Sequence, residues 1–367
     1  MCFRELQSCR SKTEITADLI REAPRLLTIG CFCIGVNQVD REAALGRGVA
    51  VFNSPFSNSR SVAELVLAEI VALSRQLGDR NREMHAGMWK KTATGCREIR
   101  RKVLGIVGYG HIGSQLSVLA ESMGMRVIFY DIQQLMPLGM ATPMDSLGEL
   151  LKEADFVSLH VPETEETSRL IGTREIQMMR KGSYLINASR GSVVNIDALK
   201  SALLSGHLAG AALDVYPHEP EANGVWTTGL EGMPNVILTP HIGGSTEEAQ
   251  AAIGIEVAQS IIKFLEQGCT LCSVNFPQLD LRVNSFYQSS SDSYLCRVLN
   301  VHHNVPGVLL KINQILGEFN IEKQVCESRG NYAYVMSDVS ATCEADLERI
   351  FENIYTLSEA VATRIVY

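Results

Sequence analysis

The sequence lacks any apolar run long enough to span a membrane. In its 367 residues, no stretch reaches the roughly 18 consecutive apolar residues of a transmembrane helix. Its first residues, MCFRELQSCRSKTE, contain no apolar segment of the kind found in secretory signals. We therefore expect a soluble protein located in the cytoplasm, with no membrane partner.

Basic clusters are scarce as well. The net charge is −8, and the nearest approach to a basic run is RRKV at residues 100–103, directly before an apolar stretch. Surfaces that bind nucleic acid carry clustered Lys and Arg. The sequence therefore argues against a nucleic-acid partner.

Ten cysteines are present, but they follow no metal-binding or disulfide pattern. Cys31 and Cys33 alternate in an apolar stretch, and Cys269 and Cys272 have no second pair or suitably spaced histidines after them. Buried, reduced thiols of this kind are typical of cytosolic proteins. We predict no metal site.

The residues that are present indicate a globular protein of two or three domains. Apolar residues make up 46% of the chain and charged residues 20%, which allows a substantial core. In the middle of the chain, strand-like apolar runs alternate with helical patterns. This alternation predicts a doubly wound, Rossmann-type α/β domain with a parallel sheet covered on both faces. The predicted strands are 103–110, 126–131, 156–162, 183–189, 210–216 and 235–241.

Further elements flank this sheet. Strands near 26–33 and 49–55 come before it, followed by a long helix over 61–77 with Ser61 as its expected N-cap. A helix over 246–267 comes after it.

The end of the chain differs in character. The polar stretch SFYQSSSDS at 285–293 is typical of a linker. Residues 296–367 follow a β-α-β-β-α-β pattern. This pattern predicts a small α+β domain that can fold alone.

A glycine motif, GYGHIG at residues 108–113, begins at the end of the run 103–110 and opens a helix. In such motifs Gly108 allows a tight turn, Gly110 lets the backbone approach a pyrophosphate, and Gly113 lets the helix pack on the strand. Asp131 ends the next strand, where a carboxylate can accept both ribose hydroxyls. The sequence therefore predicts a dinucleotide site, and Asp131 favours NAD over NADP.

Three later strand ends carry reactive side chains. Arg190 in NASRG can grip a 2-oxo or 2-hydroxy carboxylate with its planar guanidinium. His241 in LTPHIGGS can give and take the proton that a hydride transfer requires. Glu219 in DVYPHEP is the expected carboxylate partner that orients this ring, and Asp214 is expected nearer the nicotinamide.

Two other histidines are weaker candidates for the acid. His160, in LHVP, also follows an apolar strand but lacks a neighbouring carboxylate motif, so we expect it on the cofactor side. His218 lies next to Glu219 in a loop, where histidines are often simply exposed.

In this order, GYGHIG, HVP, INASRG, DVYPHEP and LTPHIGGS resemble the D-2-hydroxyacid dehydrogenases. With IGCFCIGVNQVD and FNSPFSNSRSVAELV, the likeness extends from about Arg10 to Tyr367. Within this family it implies NAD-dependent oxidation of 3-phospho-D-glycerate to 3-phosphohydroxypyruvate, the first step of L-serine biosynthesis, with a side activity as a 2-oxoglutarate reductase.

The resemblance also implies the roles of individual residues. The implied catalytic residues are Arg190, Glu219 and His241. The implied NAD-binding residues are Gly108, Gly110, His111, Ile112, Gly113, Asp131, His160, Val161, Pro162, Ala188, Ser189, Arg190, Asp214, His241, Ile242, Gly243 and Gly244. Arg10, Ser11, Lys12, Asn58 and Lys91 are implied at the substrate, and His302, Asn304 and Asn320 at a serine effector.

The implied architecture is a Rossmann-type NAD domain (58–243) inserted in a flavodoxin-like substrate domain (1–57 and 244–285). A linker (286–295) and a regulatory ACT domain (296–367) follow. We expect a homo-oligomer, a tetramer by resemblance, in which Trp89 and Lys91 face the partner subunit and L-serine inhibits.

The sequence departs from the family at its start, where the family's substrate domain begins some fifty residues earlier. We therefore expect a substrate domain without its N-terminal part. Two alternatives follow: a catalytically impaired short form, or a non-enzymatic NAD-responsive binding protein of the same fold. A different dehydrogenase, acting on formate, glyoxylate or hydroxypyruvate, is a third alternative, although such relatives generally lack an ACT domain.

Overall fold

The computed structural model describes residues 6–9, 13–220, 222–282 and 294–367. The chain divides into a central unit, Phe56–Gln250, and an outer unit that combines Met1–Pro55 with Ala251–Tyr367. The sequence predicts the NAD-binding domain at 58–243, and the assignment of the domains stays a prediction. Of the predicted linker, residues 286–293 lie outside the described residues and 294–295 already belong to a strand.

The outer unit begins with a parallel three-stranded sheet in the order β1-β2-β3. Every residue of β2 and β3 is buried, as is typical of apolar strands in parallel sheets. Both strands that the sequence predicted in this region are confirmed. The elements are β1 (Leu6–Cys9), α1 (Ala17–Glu22), β2 (Thr28–Cys31), α2 (Arg41–Gly46) and β3 (Ala50–Phe52).

The central unit begins with two helices, α3 (Ser59–Arg75) and α4 (Leu77–His85). The N-cap predicted at Ser61 is wrong, because α3 starts two residues earlier. There the backbone N–H and the hydroxyl of Ser59 both donate to the carbonyl of Phe56, at 3.0 and 2.7 Å. The Ser61 hydroxyl instead lies 2.8 Å from that of Thr246.

A seven-stranded, fully parallel sheet forms the centre of this unit, in the order β10-β9-β8-β7-β4-β5-β6. The chain order reverses between β4 and β7, which is where doubly wound sheets bind their ligands. The strands are β4 (Val103–Val107), β5 (Arg126–Tyr130), β6 (Thr142–Pro143), β7 (Phe156–Leu159), β8 (Ser183–Asn187), β9 (Leu208–Leu213) and β10 (Val236–Leu238).

Helices cover both faces of this sheet, which confirms the predicted Rossmann-type architecture. Helices α3 and α5 (His111–Ser122) share one buried cluster with sheet residues such as Leu104 and Ile186. The opposite cluster joins Leu159 and Leu185 to α6 (Leu147–Glu153), α7 (Thr173–Met178) and α8 (Ile196–Leu204).

Helix α9 (Glu247–Gln267) leads from the central unit into the rest of the outer unit. The C-terminal residues form an antiparallel four-stranded sheet in the order β12-β13-β11-β14, which is the split β-α-β arrangement predicted by the pattern. Its elements are β11 (Tyr294–His303), α10 (Val308–Leu316), β12 (Asn320–Arg329), β13 (Tyr332–Ala341), α11 (Glu344–Tyr355) and β14 (Ala360–Val366).

A buried ion pair lies inside this C-terminal sheet. Arg297, 2% exposed, donates from Nε and Nη2 to the two carboxylate oxygens of Asp338 at 2.6 and 2.8 Å. Its Nη1 donates to the carbonyl of Gln267, the last residue of α9, at 2.9 Å. The paired charges therefore fasten the sheet to the end of α9.

Among the described residues, no helix is both long and apolar enough to cross a lipid bilayer.

Candidate active site

The glycine turn after β4 has the geometry that a dinucleotide site requires. Gly108 has φ +90°, and a Cβ there would lie 2.4 Å from the carbonyl oxygen of His160. A Cβ at Gly113 would lie 2.3 Å from the carbonyl oxygen of Gly108, so α5 packs tightly on the turn. A Cβ at Gly110 would meet nothing within 4 Å. Two glycines thus allow close packing, and the third leaves open space beside the start of a helix.

Helix α5 opens at His111–Ile112, and Gly110 has no side chain to cap its N-terminal N–H groups. Such an N-terminus favours the negative charge of a phosphate. At the end of β5, Asp131 Oδ2 accepts from the N–H of Tyr109 at 2.7 Å, which fixes the carboxylate beside the turn. These residues fit a dinucleotide with its pyrophosphate at α5 and its ribose at Asp131.

His160, which with Val161 and Pro162 follows β7, is unsuited to the role of acid. Its Nε2 lies 2.8 Å from the Ser158 hydroxyl, and its buried Nδ1 has no hydrogen-bond partner within the described part of the chain. Burial lowers the pKa of the ring to about 4. His160 is therefore neutral near pH 7 and cannot readily supply a proton there.

Arg190 lies in a turn built by Asn187, the last residue of β8. The Asn187 Oδ1 accepts from the N–H and the hydroxyl of Ser189 at 3.1 and 2.8 Å, and its Nδ2 donates to the Arg190 carbonyl at 3.0 Å. Gly191 follows, where a Cβ would lie 1.9 Å from the carbonyl carbon of Tyr216. The turn of Ala188–Arg190 is therefore packed directly against the loop that follows β9.

His241 and Glu219 form the pair predicted from their motifs. Nδ1 of His241 lies 2.7 Å from Oε2 of Glu219, and Oε1 of Glu219 accepts from the N–H of Tyr216 at 3.2 Å. The His241 side chain is 50% exposed, so its ring is within reach of a ligand. With Nδ1 on the carboxylate, Nε2 is the ring nitrogen that can exchange a proton with a substrate.

Asp214 holds the loop that carries His241. Its carboxylate is almost fully buried and accepts from the Thr239 hydroxyl (2.7 Å) and from the N–H groups of Ile242 (2.8 Å) and Gly243 (2.7 Å). These contacts give Asp214 a part in shaping the loop, and its expected place nearer the nicotinamide stays a prediction. Three aligned donors on one carboxylate make this loop well defined.

Asn58 and Lys91, predicted at the substrate, have different surroundings. Asn58 is buried, and a Cβ at Gly244 would lie 2.3 Å from its Nδ2, so Asn58 lies against the loop of His241. Lys91 is exposed. Arg10, Ser11 and Lys12 lie outside the described residues.

Sequence reasoning missed two residues of this site. Asn187, which builds the Arg190 turn, was passed over, although an asparagine ending an apolar strand is a signal for such a turn. Glu69 was passed over too, although it interrupts the apolar face of α3 and is only 3% exposed. Over the described ranges, no cluster of three His, Cys, Asp or Glu side chains could hold a metal ion.

A single chain does not bring the three predicted effector residues together. His302 pairs with Ala333 of β13, whereas Asn320 pairs with Ser340, roughly 24 Å farther along that strand. His302 is buried, with Nδ1 2.9 Å from Asn300 Oδ1, and burial lowers its pKa. Asn304 lies at the His302 end of the sheet, donating to the Gly330 carbonyl at 3.3 Å.

Comparison with known proteins identifies the family. The NAD-binding domain model of the D-isomer-specific 2-hydroxyacid dehydrogenases matches residues 67–243. The chain is 53% identical to D-3-phosphoglycerate dehydrogenase 1 of Saccharomyces cerevisiae, across 98% of this chain and 77% of that one. The chain belongs to the D-2-hydroxyacid dehydrogenase family. It is also 48% identical to D-3-phosphoglycerate dehydrogenase of Escherichia coli K12, across 98% of this chain and 86% of that one.

Solved structures agree with this assignment. D-2-hydroxyisocaproate dehydrogenase superposes with a TM-score of 0.68 at 27% identity, covering 74% of this chain and 86% of that one. D-lactate dehydrogenase of Aquifex aeolicus, complexed with NAD and lactic acid, gives a TM-score of 0.61 at 31% identity, covering 71% and 83%. This member of the D-2-hydroxyacid dehydrogenase family is thus an NAD-dependent oxidoreductase, and its glycine turn and Asp131 fit the cofactor.

Proposed function

We propose that this dehydrogenase oxidises 3-phospho-D-glycerate to 3-phosphohydroxypyruvate. The observation that carries the proposal is the 2.7 Å contact between His241 and Glu219, on a loop connected to the Arg190 turn through Tyr216. The names of the Saccharomyces cerevisiae and Escherichia coli relatives support this substrate. Activity on 2-oxoglutarate is a side reaction of the same site, since Arg190 recognises a carboxylate beside a carbonyl.

Each catalytic residue has a separate part in the reaction. When bound, NAD supplies the hydride acceptor. The Arg190 guanidinium binds the substrate carboxylate and fixes the C2 carbon in place. Nε2 of His241 takes the proton of the C2 hydroxyl as the C–H bond breaks, and returns it in the reverse direction. Glu219 orients the ring and stabilises the imidazolium that forms.

The substrate phosphate requires further positive or polar groups. Arg10, Ser11 and Lys12 are the proposed ligands, together with Asn58 and with Lys91 at the partner subunit. The remaining proposed NAD contacts are those implied by the family resemblance, including His111, Ile112 and the run Ile242–Gly244. Asn58 is supported by its contact with Gly244.

The C-terminal split β-α-β domain is the proposed regulatory ACT domain, with L-serine as its inhibitor. Because His302 and Asn320 lie at opposite ends of one sheet, a complete serine site requires two copies of this domain side by side in antiparallel orientation. This arrangement supports a homo-oligomer, and a tetramer follows if the NAD-binding domains also pair.

Turnover with purified protein tests the reaction. NADH oxidation should be fastest, by kcat/KM, with 3-phosphohydroxypyruvate, compared with 2-oxoglutarate, glyoxylate and hydroxypyruvate. His241→Gln should lower kcat by about 10²- to 10⁴-fold, and NADH affinity, measured in parallel, should weaken far less than kcat falls. His218→Gln is the matched control, an exposed histidine beside the site that should stay fully active.

Two results would contradict these assignments. NADH binding without turnover of 3-phosphohydroxypyruvate would refute the proposed reaction. Serine titration tests the regulatory proposal separately: inhibition should weaken in His302→Ala, and turnover indifferent to serine would refute the effector site while leaving the reaction intact.

A further inference from the structure

Glu69 is a buried acid that the reaction described above does not use. It lies on α3 at a position 3% exposed, beside the fully buried Val66, Ile70 and Leu73 of the same helix. Both of its carboxylate oxygens are buried, and within the described residues neither has a hydrogen-bond partner. An ionised carboxylate in such a place is costly, so the group is held as the neutral acid.

The same face of α3 packs against the loop that carries His241. A Cβ at Gly243 would lie 3.4 Å from Val62 and 2.9 Å from Asp214 Oδ2. Asp214 holds this loop through three hydrogen bonds, as described above. Glu69 therefore lies on the helix that covers Asp214, and the two carboxyl groups act on one another electrostatically.

The charged group that acts on Glu69 is another acid, Asp214. Burial raises the pKa of Glu69 to about 8, with a further contribution from the negative charge of Asp214. The Tyr216 phenol beside them has its pKa raised to about 12, first by burial and then by Asp214, with smaller contributions from Glu219 and Glu69. Helix α3 packs against β8, β9 and β10, which contain no charged residue, and against α4 and α5. The charged or titratable residues of α5 are His111 and Glu121, near its two ends. Those of α4 are His85, its last residue, and the members of two ion pairs, Asp79–Arg82 and Arg80–Glu83. Two simultaneous negative charges here would repel one another in a poorly solvated site.

We propose that Glu69 is a positioning residue whose protonated form allows Asp214 to hold the His241 loop, and whose ionisation releases that loop. The inference rests on the proposed role of His241. It adds an upper pH limit to the activity, set by a group that touches neither substrate nor cofactor. Arg190 and the glycine turn are not part of this device.

The test compares wild type, Glu69→Gln and Glu64→Gln across pH 6 to 9.5. Glu64 lies on the same helix in an exposed ion pair with Arg60, so its replacement makes the same chemical change on the solvent side. The readouts are kcat/KM for NADH with 3-phosphohydroxypyruvate and the dissociation constant of NADH. Glu69→Met, which suits the apolar surroundings, serves as a second variant where Glu69→Gln does not fold.

For wild type relative to Glu69→Gln, kcat/KM should fall about tenfold for each pH unit above pH 8, as the protonated fraction falls. Glu64→Gln should follow wild type. NADH affinity should show the same alkaline loss, because Gly243 and Ile242 belong to the proposed cofactor site. The proposal would be overturned if two ratios between wild type and Glu69→Gln stay constant from pH 6 to 9.5: that of kcat/KM and that of the NADH dissociation constant.

The NADH measurement keeps this inference separate from the proposed reaction. If no variant turns over the substrate but NADH affinity above pH 8 still differs between wild type and Glu69→Gln, the proposed substrate is refuted and the role of Glu69 is retained. Normal turnover with identical pH profiles in all variants would retain the reaction and refute the device.

Discussion

Replacing Glu69 by glutamine should change how the stability of the protein depends on pH. In the folded chain Glu69 keeps its proton up to about pH 8, whereas the unfolded chain loses it near the ordinary value of 4.5. Between these two values the folded state binds more protons than the unfolded state. The stabilising contribution is therefore complete below pH 4.5, falls as the pH rises and levels off above about pH 8.

The magnitude follows from this range. The free energy of unfolding of wild type, relative to Glu69→Gln, should fall by about 1.4 kcal/mol for each pH unit. The interval from 4.5 to about 8 then corresponds to roughly 5 kcal/mol in all. Since Glu69 is 3% exposed, little of this is lost to solvent screening. Such a difference is a large part of the stability of an ordinary domain.

Urea unfolding followed by circular dichroism, at one protein concentration and at half-unit pH steps from 5 to 9, measures this difference. The many other groups that titrate in this interval cancel between wild type and Glu69→Gln. Glu64→Gln should give a curve parallel to wild type, since Glu64 is exposed. Parallel curves for wild type and Glu69→Gln would show that Glu69 ionises alike in both states, and the reasoning from its burial would be wrong.

Four further substitutions test the surroundings of the site, helix α4 and the C-terminal domain. Gly191→Ala should lower the free energy of unfolding by about 3 kcal/mol and also lower kcat/KM, because the new Cβ would lie 1.9 Å from a backbone atom. Gly78→Ala is the control, since a Cβ at this position in α4 meets nothing within 4 Å. In the same urea assay it should raise the free energy of unfolding by up to about 1 kcal/mol. Asp338→Asn should lower the free energy of unfolding by about 3–5 kcal/mol, because the buried Arg297 would lose the negative charge with which it pairs. A loss below about 1 kcal/mol, measured by calorimetry, would contradict this. As the pH falls from 6.5 towards 4, the unfolded wild-type chain protonates His160, whereas the folded chain does not, because burial lowers the pKa of the ring to about 4. The free energy of unfolding of wild type should therefore fall over this range, and it should fall less in His160→Gln.

The sheet and the pair proposed to be catalytic, His241 and Glu219, could be predicted because their signals are local. Parallel strands buried on both faces are continuous apolar runs, so their ends are readable in the sequence. In a parallel sheet those ends meet at one edge, which is why Arg190, Glu219 and His241 could be placed in one site from chain order alone. The distance between His241 and Glu219 depends on the loops and needed the structure.

Other features depend on contacts between distant segments and left no such signal. The start of α3 is set by the carbonyl of Phe56, so the N-cap expected at Ser61 was wrong. The separation of His302 from Asn320 depends on strand register in the C-terminal sheet, which the pattern of strands does not give. Glu69 did leave a local signal, an acid on an apolar helix face, but its meaning depends on Asp214.

The groups proposed to be catalytic are held by one connected set of loops rather than by independent supports. At Gly191 the Arg190 turn packs directly against the backbone of Tyr216. The N–H of Tyr216 donates to Glu219, and Glu219 in turn contacts Nδ1 of His241. Asp214, at the end of the strand that leads to Tyr216, fixes the His241 loop from the other side. Substitutions along such a chain share partners, so their effects on activity should not add. A double variant combining Gly191→Ala with Glu219→Gln should therefore lose less activity than the product of the two single losses, and strict multiplication of the losses would show the two loops to act independently.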